Sequence, residues 1–494
     1  MKLYLINIVC ILCVSGCVVS RQDFYTDLGA ERTAAAKRLS GHEPSPSCPE
    51  INGSLTLNDA VDFALSFNPN LSASVREKKA ADGRVLSSYS HALPSIVGNG
   101  SYTRLDEAPS VEFQGMSFAL GYKNNYTAGV TITQPLLQGG RAFIARKAAR
   151  IYTYYSEEKI RQALEQVLYQ AATHYYSFLV SEKLVHVEAE GLASAKKNLF
   201  SVKLKKDNGK ATEYDVLRAR VNVTNFEARL IEQKNRRDQS RRNLLKAMGV
   251  SQQSRVTITG DIDYTPMTVD YQTALFSAMR NRPDLYKAAL EIKLQEQNIN
   301  RIYTRYAPQL NGFFSHTHAR PDPRNSSRDR WGSEWQAGIN FTWTLFDGLN
   351  REGNLVEEKA RLLQLKDILR SAEQNAAMEV RSALDKLRHS EKLVASQKLN
   401  LKRADLALEL VRIGYKEGTK TELDIIDATL SLTRARAHYH TALFEHKMAV
   451  LNMQKATGAL CRPPGEKNSI QKEGLPVPGV PAVKFKSETG TTAK

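Results

Sequence analysis

Apolar and polar residues alternate strictly through two short stretches of this chain. In the first, Tyr126, Ala128, Val130 and Ile132 alternate with Thr127, Gly129, Thr131 and Thr133. In the second, Trp335, Ala337, Ile339, Phe341, Trp343 and Leu345 alternate with Gln336, Gly338, Asn340, Thr342 and Thr344. A period of two marks a β-strand with one apolar face. Weaker alternation near Ile96 to Arg104 and Leu310 to His318 predicts a partner strand before each. The rest reads as helix. No proline interrupts Pro135 to Pro266 or Pro323 to Pro463, so each stretch accommodates two very long helices, broken only at Gly209 or Gly418. From Arg141 to Asn208 is about 68 residues, or about 100 Å at ~1.5 Å each. Ile160, Leu164, Val167, Leu168 and Ala171, like Leu399, Ala404, Leu406, Ala407, Leu410 and Val411, form narrow apolar stripes among charges. Such stripes call for a partner helix, as in a coiled coil.

The chain repeats itself. GKATEYDVLRAR starts at Gly209 and GTKTELDIIDAT at Gly418, so Thr212, Glu213, Asp215 and Ala219 recur as Thr421, Glu422, Asp424 and Ala428, an offset of 418 − 209 = 209. Gly139 with Gly348, Asn243 with Asn452 and Gly249 with Gly458 keep that offset. Earlier anchors, Asn68-Pro69-Asn70-Leu71 with Arg282-Pro283-Asp284-Leu285 and Pro94 with Pro308, stand 214 apart. The net difference of 214 − 209 = 5 residues lies between Pro94 and Gly139, which predicts a variable loop there. Each repeat, 55–260 and 261–460, reads as helix, strand, loop, strand, long helix, turn, long helix. At the turns, Gly209 and Gly418 supply the positive φ of a tight reversal, and each T-x-x-D fits a capping box that starts the returning helix.

Four strands with one apolar face are half of a soluble sandwich or part of a membrane barrel. Trp335 and Trp343, eight residues apart on one face, stand about 26 Å apart at ~3.3 Å per residue, near the height of a bilayer's apolar band. No strand edge stays open in lipid, so four strands need other copies of the chain. Three chains give 3 × 4 = 12 strands, enough for a closed barrel with a wet lumen.

Composition refines this picture. With 42% hydrophobic and 24% charged residues, the chain packs a core and remains well solvated. The first residues, MKLYLINIVCILCVSGCVVS, form a secretory signal (1–16), and Val14-Ser15-Gly16-Cys17 resembles the bacterial lipobox, whose Cys is acylated. Cys17 would then open a lipidated segment, 17–54, and Val18 after it favours the outer membrane by resemblance to lipoprotein sorting; a plain signal with a chance Cys is the alternative. Cys48 and Cys461 are a candidate disulfide in an oxidising compartment, or two unpaired thiols. Residues 461–494, with Pro463, Pro464, Pro476, Pro478 and Pro481, read as a flexible tail. The net charge of +17, with Lys203, Lys205, Lys206, Arg236, Arg237, Arg241 and Arg242 at helical spacing, fits a solvated or lipopolysaccharide-facing surface better than nucleic acid in an exported chain.

The L-T-L-x-D-A-V-x-x-A-L-x-x-N-P-x-L opening at Leu55, Q-P-L-L-Q-G-G at Gln134 and G-T-x-T-x-x-D-x-x-D-A at Gly418 resemble the TolC-like outer-membrane efflux family over both repeats. The resemblance implies an α+β membrane protein: a homotrimer with a 12-stranded β-barrel, four strands per chain, continuous with a long periplasmic α-helical barrel. It also implies an equatorial belt from residues between and after the repeats. By the same resemblance, Asp424 and Asp427 ring a periplasmic aperture, as 3 × 2 = 6 carboxylates whose mutual repulsion raises some of their pKa values; solvated acids near a helix N-terminus are the other reading. Tyr415, Lys420 and Asp215 match positions that link neighbouring hairpins, although Lys420 lacks the bidentate fork of an Arg. Asn208, Gly209, Lys210, Gly418 and Thr419 would meet a periplasmic adaptor, itself joined to an inner-membrane pump.

No phosphate-cradling G-x-x-x-x-G-K-[ST], G-x-S-x-G elbow or H-E-x-x-H helix occurs, so no enzyme, cofactor or metal is expected, and transport energy comes from a partner. His316 with His318, and His438 with His440, read as polar surface rather than metal ligands. The functions that remain are an exit channel for small molecules such as drugs, the same channel used for type I protein secretion, and a purely structural periplasmic coiled coil.

Overall fold

The structure, a computed structural model, describes residues 21–39, 48–113, 116–119, 121–325 and 328–461. The signal segment, Cys17 and residues 462–494 of the tail lie outside them. Ahead of the repeats stand helix α1 (Arg21–Leu39) and strand β1 (Asn52–Leu55). The first repeat contains α2 (Leu57–Phe67), α3 (Pro69–Ser88), β2 (Ser95–Arg104), β3 (Ser110–Phe113), β4 (Met116–Ala119), β5 (Asn124–Gln138), α4 (Arg141–Asp207) and α5 (Glu213–Met248). After β6 (Arg255–Ile258), the second contains α6 (Tyr271–Asn281), α7 (Pro283–Tyr303), β7 (Gln309–Arg320), β8 (Gly332–Thr342), α8 (Asn350–Lys416) and α9 (Glu422–Ala456). The predicted opening helix of each repeat is two helices. Asn68 and Arg282 are held extended ahead of a proline at the next helix's first position, which stops one helix and starts the other. The variable loop is where the duplication placed it, and it carries the β3–β4 hairpin.

β2, β5, β7 and β8 form one antiparallel sheet in the order β2-β5-β7-β8, so the two repeats join at β5–β7 and the sheet ends at β2 and β8. Its register separates two chemistries. One face carries Ile96, Tyr102, Tyr126, Val130, Ile132, Leu310, Phe314, Trp335, Ile339 and Phe341. The other carries Asn99, Ser101, Thr127, Thr131, Ser315, Thr317, Gln336 and Asn340, with hydroxyl pairs at Ser101–Thr127 (2.6 Å) and Thr131–Ser315 (3.1 Å). An apolar outside and a polar inside are what a barrel wall between lipid and a wet lumen requires. The last strand is shorter than alternation suggests. β8 closes at Thr342, and Trp343 just beyond it donates its indole N–H to the Tyr306 carbonyl (3.1 Å), anchoring the chain where sheet meets helix.

α4 and α8 are each 67 residues long, about 100 Å at ~1.5 Å per residue. They pair with α5 and α9 as two hairpins. At the end of each hairpin, a glycine in the left-handed region docks on the helix break of its own repeat. Gly249 (φ 75°) sits against the Phe67–Asn68 backbone, and Gly458 (φ 68°) against that of Asn281–Arg282. The main core gathers here, with Phe178, Leu244, Leu245, Met248 and Leu451 all buried. Arg161, also buried, donates to the carbonyls of Asn281 and Cys461 and to Glu158. On α8, Leu399, Leu406, Leu410 and Ile413 stay exposed, an apolar stripe of the kind that takes a partner helix.

The part of the belt expected after the second repeat lies outside the described residues. Among the described residues the belt is built from residues before and between the repeats: β1 pairs in parallel with β6, and the linker after β6 is pinned by Lys183–Asp261 and by the buried His446, which bridges Ser390 and the Thr265 carbonyl. Cys48 and Cys461 are free thiols, not the candidate disulfide. Cys48 precedes Pro49, whose carbonyl accepts from Ser251 at the end of the first repeat, whereas Cys461 is buried beside Arg161 at the end of the second. Burial pushes the Cys461 thiol up to about 11.

Candidate functional site at the hairpin tips

Both tips are built the same way from the duplicated motif. In the first, Asn208 caps α4 with its side-chain amide on the Leu204 carbonyl (2.7 Å), and Gly209 (φ 69°) and Lys210 return their N–H groups to Lys206 and Lys205 (2.8 Å each). Thr212 donates its N–H and hydroxyl to Asp215 Oδ2 (2.9 and 2.7 Å), and the Asp215 N–H donates back to the Thr212 hydroxyl. In the second, Gly418 (φ 77°) turns the chain and the Thr419 N–H reaches the Gly414 carbonyl (2.8 Å). Thr421 donates to Asp424 Oδ2 at 2.7 and 2.8 Å. These reciprocal caps satisfy the orphan N–H groups that begin α5 and α9. Hydrogen bonds from the Thr backbone and hydroxyl hold the Asp215 and Asp424 carboxyls below the ordinary Asp value. Within one chain, capping therefore opposes the upward shift expected of Asp424 from clustering. Asp427 is exposed one turn further along α9.

The three expected link residues do not form one group. Lys420 lies against Gly414, where an added Cβ would come within 2.7 Å of its Cγ, and its charge acts on Asp424 of its own tip. Tyr415 and Asp215 belong to a different cluster, which joins the two hairpins of one chain. The Lys205 ammonium lies 3.5 Å from the centre of the Tyr415 ring, the Tyr415 hydroxyl faces Glu422, and Glu422 accepts from Asn198. Glu422 Oε2 is buried without an aligned donor. Burial, above all, raises the carboxyl of Glu422, and it raises the Tyr415 hydroxyl, with Glu422 and Asp215 adding to the latter.

Glu422, Asn198 and Lys205 escaped the sequence reading. The motif gives no warning, because the equivalent Glu213 in the first copy is exposed and pairs with Lys206 instead. Only the packing of α9 on α4 separates the two.

The family described as outer membrane efflux protein matches residues 60–250 and 275–459, which are both repeats with their strands and hairpins. The chain belongs to the outer membrane efflux protein family. Its relatives include the outer membrane protein TolC of Salmonella enteritidis, 21% identical over 429 residues and covering 83% of this chain and 84% of TolC. The cobalt-zinc-cadmium resistance protein CzcC of Cupriavidus metallidurans is 20% identical over 86% of this chain and 95% of CzcC. In fold, the chain is similar to the CmeC outer membrane channel of Campylobacter jejuni (TM-score 0.72, 17% identity, 83% and 87% covered). The same holds for the open MtrE channel of Neisseria gonorrhoeae (TM-score 0.68, 18% identity, 81% and 88% covered). This efflux protein is thus an outer-membrane exit channel of a tripartite pump in a Gram-negative bacterium, extending into the periplasm. Members of the family form trimeric channels, rather than enzymes, and work with adaptors and inner-membrane pumps.

Glu422 gives the efflux protein's tips a pH dependence of definite sign. Its pKa in the folded tip stands above the ordinary 4.5. The burial penalty is therefore absent below pH 4.5 and grows as pH rises from 4.5 through the folded value, loosening the contact between hairpins. The caps act in another window, because the lowered pKa values of Asp215 and Asp424 keep their stability down to about 3.8 and lose it below. Glu422→Gln is expected to flatten the upper transition and leave the lower one, as read by amide hydrogen exchange at the tips from about pH 2 to about pH 8.

Proposed function

We propose that this channel carries small molecules, such as drugs, from periplasm or pump to the exterior. The observation that carries the reading is the match over both repeats to an efflux family, joined by near full-length similarity to a relative named for resistance to metal cations. The polar inner face of the sheet, rich in Thr, Ser and Asn, suits a path for unlike solutes. The chain assembles as a homotrimer anchored to outer-membrane lipid through Cys17, with Asp424 and Asp427 around the periplasmic aperture. Tyr415, Asp215 and Lys420 restrain the hairpins there, and Asn208, Gly209, Lys210, Gly418 and Thr419 meet the adaptor. Asp427→Asn is expected to reduce the cation preference of the channel in a planar bilayer, read as a shift in reversal potential, because the exposed Asp427 has no cap to serve.

The test of the transport class is photo-crosslinking in cells from a reactive residue at Thr419, followed by mass spectrometry. An adaptor of a proton-driven small-molecule pump is the expected capture. An adaptor paired with an ATP-driven protein exporter would move the assignment to type I secretion.

A further inference from the structure

The outer face of β7 carries groups that a lipid-facing strand does not need. Leu310, Gly312 and Phe314 are followed on that face by His316, His318 and Arg320, a column of nitrogen donors at two-residue spacing. Polar side chains on the lipid face of a barrel carry a free-energy cost that falls from the midplane to the interface, so their depth decides what they mean. Leu310, at the helical and hence periplasmic end, and Arg320 are 320 − 310 = 10 residues apart. That is about 33 Å along the strand and about 25 Å along the axis at a tilt of ~40°, the height of the apolar band. Arg320 therefore stands at the outer interface, with His318 just beneath.

Aromatic rings surround this point. Tyr102 stacks on Tyr126 (4.9 Å), Tyr126 meets Trp331 (6.1 Å), and His318 lies parallel to Trp331 (5.1 Å, 4°). Above them the β7–β8 loop carries Arg324, Arg328 and Arg330. Its two acids are already engaged: Asp329 accepts from Arg320 Nε and Nη2 (2.8 and 2.9 Å), leaving Nη1, and Asp322 pairs with Arg330 (3.1 Å) while also accepting the Arg324 N–H. The guanidinium groups of Arg324 and Arg328 are exposed. An apolar wall, an aromatic collar and an arginine rim at the outer interface match an amphiphile with acyl chains and phosphate.

We propose that this face binds a phosphate-bearing glycolipid of the outer leaflet. Its acyl chains lie against Phe314, Val130 and Trp335, its sugar lies over Trp331 and His318, and its phosphates meet Arg320, Arg324 and Arg328. Planar guanidinium forks pair with phosphate oxygens two at a time, which favours phosphate over the bare sugar. The inference rests on the barrel reading of the sheet.

The test uses the purified full-chain trimer and native mass spectrometry with bis-phosphorylated lipid A, enzymatically dephosphorylated lipid A and a zwitterionic phospholipid. The phosphorylated form is expected to bind at least about tenfold tighter than either of the others. The double substitution Arg324→Gln with Arg328→Gln should remove about that factor, and Arg324→Lys with Arg328→Lys should recover part of it. Equal binding of the three lipids, or a glutamine variant that binds like the parent, would overturn the proposal, as would complete displacement of lipid A by millimolar inorganic phosphate, which would assign the arginines to free phosphate. Each variant is first shown to conduct in a planar bilayer. A conducting trimer that ignores lipid phosphate sinks this inference alone, whereas a parent trimer that does not conduct sinks the channel reading as well.

Discussion

Gly249→Ala is expected to destabilise the chain by about 2–5 kcal/mol and to deplete the assembled trimer. A Cβ at position 249 would stand 2.3 Å from the Phe67 carbonyl oxygen, 2.7 Å from its carbon and 3.1 Å from Asn68 N. All three are backbone atoms of the break between α2 and α3, so no rotamer can relieve the overlap. The left-handed conformation itself costs a β-carbon about 1–2 kcal/mol, and overpacking adds about 1–3 kcal/mol. Gly209→Ala is the control. Its φ is similarly positive, but nothing lies within 4 Å of the added carbon, so only the conformational cost of about 1–2 kcal/mol remains. Denaturant midpoints of the two variants, with trimer assembly followed on native gels, separate the contributions. Equal effects would show that the docking of Gly249 on the helix break contributes nothing. Gly458→Ala should behave like Gly249→Ala, since its Cβ would meet Asn281 C at 2.8 Å and Arg282 N at 3.0 Å.

Replacing Arg161 with Met is expected to cost about 3–5 kcal/mol, the usual effect of removing one partner from a buried charged network. The methionine fills much of the same volume but leaves the carbonyls of Asn281 and Cys461 without their donor and Glu158 without its ion pair. The loss should deepen as pH rises. Glu165, one turn along α4, is pushed up to about 7 by burial, while Arg282, Lys455 and Arg161 oppose the shift. A raised carboxyl pKa destabilises the fold progressively as pH climbs from 4.5 through about 7, and removing a nearby cation makes the ionised form less tolerable still. Unfolding measured at pH 5 and pH 8 should therefore show the larger difference from the parent at pH 8; the reverse order would exclude Glu165 from the network.

The architecture was legible because its largest elements obey simple periods. Alternation gave all four strands of the main sheet, and the long proline-free runs gave all four long helices. The missed features have two physical origins, one local and one tertiary. A proline at a helix's first position both ends and begins a helix, so one predicted helix became α2 and α3. Trp343 continues the alternation but spends its N–H on the Tyr306 carbonyl instead of extending β8. The caps Thr212–Asp215 and Thr421–Asp424 are local and were readable. The Tyr415–Glu422–Asn198–Lys205 cluster draws on three helices and was not. Local chemistry survives in a motif, whereas contacts between distant helices are decided by which face each turns inward.

The sheet order has a consequence for how such a molecule arose. Inside one chain, the second strand of the first repeat, β5, pairs with the first strand of the second repeat, β7. Where the ring closes between chains, the free strand β8 of one copy must meet the free strand β2 of the next, which is again a second strand against a first. Covalent and non-covalent seams are therefore the same kind of join, and the barrel counts six like units rather than three. An ancestor encoding a single repeat had the strand grammar to close the same ring as a hexamer. Fusing two such genes would have halved the number of molecules that must find one another, and freed each half to diverge, as Glu213 and Glu422 have done.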